Sequence, residues 1–242
     1  MTFKHDTVST LIFDYGNTLI EFGRKQLDIN HKAIAETLVT LFGDCDIEQL
    51  KRIRDRQILA PYRTGFRENV FPEICGELIR QLYDETPDEN GIKKLTSARY
   101  DAFVDCVSLP DGVLDLLEAL DHRYRLALLS NYPCGQSIRD SLDKIGLTPM
   151  FETVVVSGDV GYVKPHPRPF EVLLNTMAVS SSECVLIGDN WLADIQGAKQ
   201  MGMQAILTTQ YESSEQFKPR DGDHEPDARI RHINELRGLL SV

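Results

Sequence analysis

The chain has 242 residues, enough for one large domain or a core with a smaller partner, and enough to bury a sizeable core without disulfides or a structural metal. With 26 Lys and Arg against 37 Asp and Glu, the net charge is −11, which disfavours a nucleic-acid or anionic-membrane partner, and no apolar run approaches the ~20 residues of a membrane span. Five isolated cysteines, Cys45, Cys75, Cys106, Cys134 and Cys184, never form Cys-x-x-Cys, and the polar stretch 1–10 holds no secretory apolar segment, so the expectation is a reduced, cytoplasmic protein without zinc site or disulfide framework.

Residues 8–13 form a short apolar run that reads as a buried strand, ending in Asp14-Tyr15-Gly16-Asn17 as a turn. From about Leu27 to Val107 apolar residues recur at helical spacing, as in Ile34-Leu38-Leu41, Ile47-Leu50-Ile53, Ile74-Leu78-Leu82 and Ile92-Leu95. Gly43-Asp44, Pro61, Gly65, Pro72 and Pro87-Asp88 punctuate this stretch, which predicts a compact insert of about four helices. After Pro110-Asp111-Gly112 strands and helices alternate. A helix from Val113 precedes a strand over 125–129, closed by Ser130-Asn131. A helix over 135–146, a strand over 153–156 and a helix over 169–177 come next. The strand at 184–188 ends in Asp189-Asn190. A helix over 193–201 and a strand over 204–208 follow it. Residues 211–227 carry six acids against Lys218 and Arg220 and read as a mobile surface loop, before a last short strand and helix.

Near-continuous apolar strands alternating with helices predict an α/β fold: a Rossmann-like three-layer core with a parallel sheet covered on both faces, plus an inserted all-helical cap domain. The expected boundaries are 1–20 and 109–242 for the core and 21–108 for the cap. Ligands of such sheets bind at the carboxyl ends of the strands, where Asp14, Ser130 and Asp189 converge.

Four ordered segments carry a resemblance. They are Phe13-Asp14-Tyr15-Gly16-Asn17-Thr18-Leu19, Leu128-Leu129-Ser130-Asn131, Gly161-Tyr162-Val163-Lys164-Pro165-His166-Pro167, and Ile187-Gly188-Asp189-Asn190 followed by Asp194 and Gly197-Ala198. In order and at strand ends, they resemble the haloacid dehalogenase-like superfamily, mostly phosphatases with an aspartate nucleophile. The resemblance implies that Asp14 attacks phosphorus to form an aspartyl phosphate, that Lys164 supplies fixed positive charge, and that Ser130 donates to a phosphate oxygen with Asn131 alongside. It implies Mg²⁺ held by Asp14, the Gly16 carbonyl and Asp189, with Asp194 orienting a metal water or Lys164. The implied substrate is a small phosphorylated metabolite. Taken singly, Asp14 and Asp194 also suit helix N-caps, Ser130 a cap and Lys164 the surface. His166 stands where the family often has Asp and is read as structural.

One position departs from the family. The second Asp of the first motif, which protonates the leaving oxygen, is replaced here by Gly16. Such general acid help is typically ~10²–10⁴-fold. Another group such as Glu21 or a cap residue could serve, the substrate could have a good leaving group, or the chain could bind without turnover. Carbon–halogen hydrolysis by the same Asp is an alternative that leaves Asp189 and Asp194 without a task. Phosphonate cleavage would need an imine-forming cap lysine, and neither Lys25, Lys32 nor Lys51 stands in a suitable context. The cap also gathers Lys51, Arg52, Arg54, Arg56, Arg63 and Arg67 with Asp55 the only acid among them. The spacing of Arg52 and Arg56 favours a solvated helix face, while Arg63 and Arg67, in a loop-like stretch 61–66, are the better candidates for binding a second anionic group.

Overall fold

The computed structural model describes residues 7–211 and 218–241. Among them, six strands form one parallel sheet in the order β3-β2-β1-β4-β5-β6. The strands are β1 (Thr10–Phe13), β2 (Arg125–Ser130), β3 (Thr153–Val156), β4 (Cys184–Gly188), β5 (Gln204–Thr208) and β6 (Ala228–Ile230). β1 pairs with β2 on one side and β4 on the other, with Phe13 in register with Leu128 and Ile187. The chain order therefore reverses at β1, the crevice where open α/β sheets hold their ligands.

The strands are apolar on both faces because both faces are covered. Leu11, Phe13, Leu128, Ile187 and Ile206 pack into one apolar cluster with α5 (Val113–Asp121), α6 (Gly135–Lys144) and α10 (Leu236–Leu240). Ile12, Ala127, Leu129, Leu186 and Ala205 face the opposite way, against α8 (Pro167–Met177), a π-helical turn (Trp191–Gln196) and α9 (Gly197–Gln200). This is the three-layer arrangement expected from near-continuous apolar strands.

Between β1 and β2 lie α1 (Arg24–Phe42), α2 (Ile47–Arg63), α3 (Phe71–Tyr83) and α4 (Glu89–Cys106). Their inward faces, including Ile34, Leu38, Ile53, Leu78, Ile79 and Leu95, make a third apolar cluster of their own. Asp46 caps α2 by accepting from the Gln49 N–H, and Asp88 caps α4 by accepting from the Gly91 N–H. The segment from α2 to α3 is tied to the sheet side: Glu68 N–H donates to Gly161 O at 3.0 Å and Val163 N–H to Phe66 O at 2.9 Å.

Two expectations change. Pro61 lies inside α2 rather than before its end; its ring removes the N–H that would bond the carbonyl four residues back, and the helix stops two residues later at Arg63. The 211–227 stretch read as a mobile loop lies partly outside the described residues, and its described part is anchored. Asp223 accepts from Trp191 Nε1 at 2.7 Å, and Asp227 binds Lys199 and the Ala205 N–H. All five cysteines are free.

Candidate active site

Each polar group at the sheet edge is delivered by a strand end or the turn beyond it. Asp14 follows β1 and its N–H donates to Ile187 O at 2.9 Å. Thr18, on the same turn, donates its hydroxyl to Asp14 Oδ2 at 3.3 Å. Lys164 reaches the site from the segment after β3, through a short helix α7 (Ser157–Val160). Its ammonium is fully buried and uses all three donors: Asp14 Oδ1 at 2.8 Å, Asp194 Oδ1 at 2.7 Å and Leu129 O at 2.6 Å. Burial pulls the Lys164 ammonium down, but the Asp14 and Asp194 carboxylates outweigh it and the net shift is upward, so it stays charged.

Asp194 is buried, and both its oxygens are taken. Oδ1 accepts from Lys164, and Oδ2 accepts from the Asn190 N–H at 2.9 Å. Asn190 in turn accepts from the Leu192 and Ala193 N–H groups, which starts the π-helical turn and aims Asp194 inward. Gly188 makes the approach possible: a Cβ there would lie 2.3 Å from Asp194 Oδ2. Asp14, Asp189 and Asp194 have carboxylate oxygens within 4.8 Å of one another. Burial and then the neighbouring Asp14 and Asp194 charges push the Asp189 carboxyl up. Burial also pushes Asp194 up, against the pull of Lys164.

Ser130 closes β2, is buried and lines the same cleft. Asn131 is differently employed than expected. Its Oδ1 accepts from the Lys164 N–H at 2.7 Å, and its Nδ2 donates to Lys164 O at 3.0 Å and Tyr62 Oη at 3.4 Å. The amide is spent on holding the Lys164 main chain rather than left for a phosphate. Gly16 has no positive φ; it is Asn17 that takes the left-handed conformation, with φ 57°. A Cβ on Gly16 would meet only Phe22 Cβ at an ordinary 3.6 Å. The Gly16 carbonyl takes no part in the hydrogen bonds of its turn, which run through Tyr15 O and Ile20 O. His166 accepts from the Arg168 N–H and caps α8, as its structural reading required.

These groups open into a cleft of about 510 Å³ between the sheet edge and the inserted helices. Arg63 and Arg67 are exposed and do not line it; Arg54 and Arg99 do. Pro61 explains the difference: α2 continues through it, so Arg63 falls on an outer helical turn instead of a loop over the site. Glu21 is also exposed and outside the lining. The cleft holds a buried carboxyl that sequence reasoning missed, Glu68, which accepts from the Ser157 hydroxyl at 2.5 Å and the Asn69 N–H at 2.9 Å. Burial pushes it up. No sequence pattern marks it, because a long-range backbone pairing delivers it.

A family model described as haloacid dehalogenase-like hydrolase matches residues 11–208. The chain belongs to that family. It is 30% identical to a phosphoserine phosphatase of Thermus thermophilus over 191 residues, covering 74% of this chain and 67% of the relative. Its fold is similar to that of the 2-haloacid dehalogenase from Pseudomonas syringae pv. Tomato, with a TM-score of 0.74, 25% identity, and 97% and 98% of the two chains covered. It is also similar to the magnesium-bound HAD-hydrolase YfnB of Bacillus subtilis, with a TM-score of 0.70, 22% identity, and 97% and 99% covered. No helix among the described residues is long and apolar enough to cross a membrane.

Proposed function

We propose that this chain is a Mg²⁺-dependent phosphatase that hydrolyses a small phosphorylated metabolite through an aspartyl phosphate on Asp14. The observation that carries the reading is the charge balance of the cleft floor, where three carboxyl groups lie within 4.8 Å of one another and one ammonium pairs with two of them, Asp14 and Asp194. That surplus of hard, anionic oxygen suits a divalent cation, and carbon–halogen hydrolysis has no use for it. Asp14, Asp189 and the unengaged Gly16 carbonyl would hold Mg²⁺; Asp194, with both oxygens committed, serves by fixing Lys164. When bound, the cation lets an anionic carboxylate approach an anionic phosphate. The relationship to a phosphoserine phosphatase supports phosphate monoesters as the substrate class.

In this reading the Asp14 carboxylate forms a bond to phosphorus in line with the breaking bond to the leaving oxygen, which departs and takes up a proton. Water then attacks the phosphoaspartate, releasing phosphate and restoring Asp14. Lys164 holds Asp14 in place and spreads positive charge toward the transferring group, and the Ser130 hydroxyl donates to one of its oxygens. Segment 21–108 acts as the cap that keeps water from the cleft, over a core of 1–20 and 109–242. Phosphate release from p-nitrophenyl phosphate, abolished by EDTA and restored by Mg²⁺, is the expected result. The similarity to a 2-haloacid dehalogenase and the missing acid at Gly16 favour a second reading. Halide release from a 2-chloro acid in excess EDTA, without phosphatase activity, would establish it and overturn the first.

A further inference from the structure

The cap-side wall of the cleft carries two guanidinium groups, Arg54 on α2 and Arg99 on α4. Several exposed arginines of this acidic chain have a carboxylate partner: Arg80 with Glu77, Arg139 with Asp159, Arg229 with Glu225. Among the described residues, Arg99 pairs with no carboxylate; its guanidinium sits over the Phe71 ring at 5.0 Å from the centroid. Arg54, with its side chain 16% exposed, touches one carboxylate, that of its neighbour Asp55, at 3.4 Å; Asp55 itself is largely in solvent. Burial, and the Arg99 charge among the nearby groups, hold the Arg54 guanidinium below its ordinary value. Two like charges in a partly dry wall are a standing cost that a bound oxyanion offsets, and the guanidinium fork fits carboxylate and phosphate alike. A solvated helix face does not describe this pair; it describes Arg52 and Arg56, which are exposed.

An aromatic rail joins the wall to the floor. Phe22 and Phe103 have ring centroids 5.3 Å apart, Phe103 and Tyr132 4.2 Å, and Tyr132 and Phe71 5.6 Å. Tyr132 follows Ser130 and Asn131 directly and packs against Phe71, the ring beneath Arg99, so the rail links the end of β2 to the arginine wall. Gln57 Oε1, a buried acceptor with no partner among the described residues, lies on the same cleft lining.

We infer that Arg54 and Arg99 receive a second anionic group, carboxylate or phosphate, at the far end of a phosphorylated substrate whose apolar middle lies along Phe22, Phe103 and Tyr132. This rests on the phosphatase reading and names the substrate class for that site. A charge-assisted bidentate contact of this kind is worth about ten- to hundredfold in affinity.

The test compares kcat/KM on matched alkyl phosphates of increasing length that end in a methyl, a carboxylate or a second phosphate. Wild type should prefer an anionic end by about tenfold or more, chiefly through KM, and the carboxylate and phosphate arms tell the two anions apart. In Arg99→Gln and Arg54→Gln the ratio of anionic to neutral substrate should collapse toward one, while Arg99→Lys should restore part of it. Equal rates on all three ends in wild type, or an undiminished ratio in both variants, overturns the inference. Binding of ω-carboxyalkylphosphonates against alkylphosphonates by calorimetry reads the same preference without turnover. A protein that hydrolyses no phosphate ester but still prefers the carboxylated ligand in an arginine-dependent way refutes the phosphatase reading alone.

Discussion

Lys164 on the floor of the cleft and Arg99 in its cap-side wall are both cations in a largely apolar setting, yet they are held in opposite ways. Lys164 has no donor left over: two carboxylates, one carbonyl and the Asn131 clamp on its main chain fix it in one geometry. Arg99 rests on an aromatic face with no carboxylate among the described residues. A floor saturated with internal partners is preorganised for one kind of chemistry, because its charges need not reorganise as the phosphoryl group moves. A wall with unspent charge is organised for a ligand. The difference separates what the site does from what it does it to, and each half can be broken without the other.

The largest effect should come from the floor. Asp14→Asn removes the nucleophile but keeps the shape and the contact with Lys164, so phosphate release should fall by several orders of magnitude while the far-ultraviolet dichroism and melting curve stay those of a folded protein. Activity within about tenfold of wild type would take the nucleophile role from Asp14. The next effect is on stability. Asp194→Ala leaves a fully buried ammonium with one carboxylate instead of two, and removing a partner from a buried pair costs ~3–5 kcal/mol. Urea denaturation should show a loss near the lower end of that range, since Asp14 and Leu129 O remain. A loss below about 0.5 kcal/mol, the level of an exposed pair, would mean that Asp194 is not what holds Lys164.

The floor was legible in the sequence for a physical reason. Asp14, Ser130 and Asp189 close apolar strands, and a parallel sheet brings strand ends to one edge whatever the loops do. Lys164 was legible through the pattern around it. The wall was not, because a residue's place on a helix face depends on how four helices pack, and Arg54 and Arg56 look alike until α2 is set against α1 and α3. Pro61 misdirected the reading: taken as the start of a loop, it moved Arg63 off the helix, whereas α2 runs two residues past it before stopping. Glu68 and the second use of Asn131 arise from contacts between residues far apart in the chain, which no local spacing encodes.

Gly16 lines the same cleft, two residues after Asp14, and it sharpens the comparison. With no carboxyl there, the leaving oxygen departs poorly protonated, so aryl phosphates should be hydrolysed much faster than alkyl phosphates of similar size. Gly16→Asp is sterically open, with an ordinary φ and the nearest atom at 3.6 Å, and should raise kcat/KM on alkyl phosphates by about tenfold while changing aryl phosphates less. Equal wild-type rates on both classes would reveal a proton donor already in the cleft, and Glu68 is the first carboxyl to replace, ahead of the exposed Glu21.

The smallest effect concerns Glu68 itself. Burial raises its carboxyl above the ordinary 4.5, although the Ser157 hydroxyl and Asn69 N–H pull the other way. A carboxyl raised in the folded state binds its proton more tightly there than in the unfolded chain. Its contribution to stability is therefore fully present below the unfolded value and is lost as pH rises through the folded one. Tyr62, a titratable group beside it, is pushed up to about 12 by burial and stays neutral over that range. Glu68→Gln keeps an acceptor for the Asn69 N–H and cannot ionise, so the variant should gain stability relative to wild type as pH is raised from about 4.5 to neutrality. The reading is the difference between the two unfolding free energies across pH, which cancels every other titrating group they share. A difference that does not change with pH would mean that Glu68 titrates alike in the folded and unfolded chain and is ionised at neutral pH, which would also remove it as the cleft's proton donor.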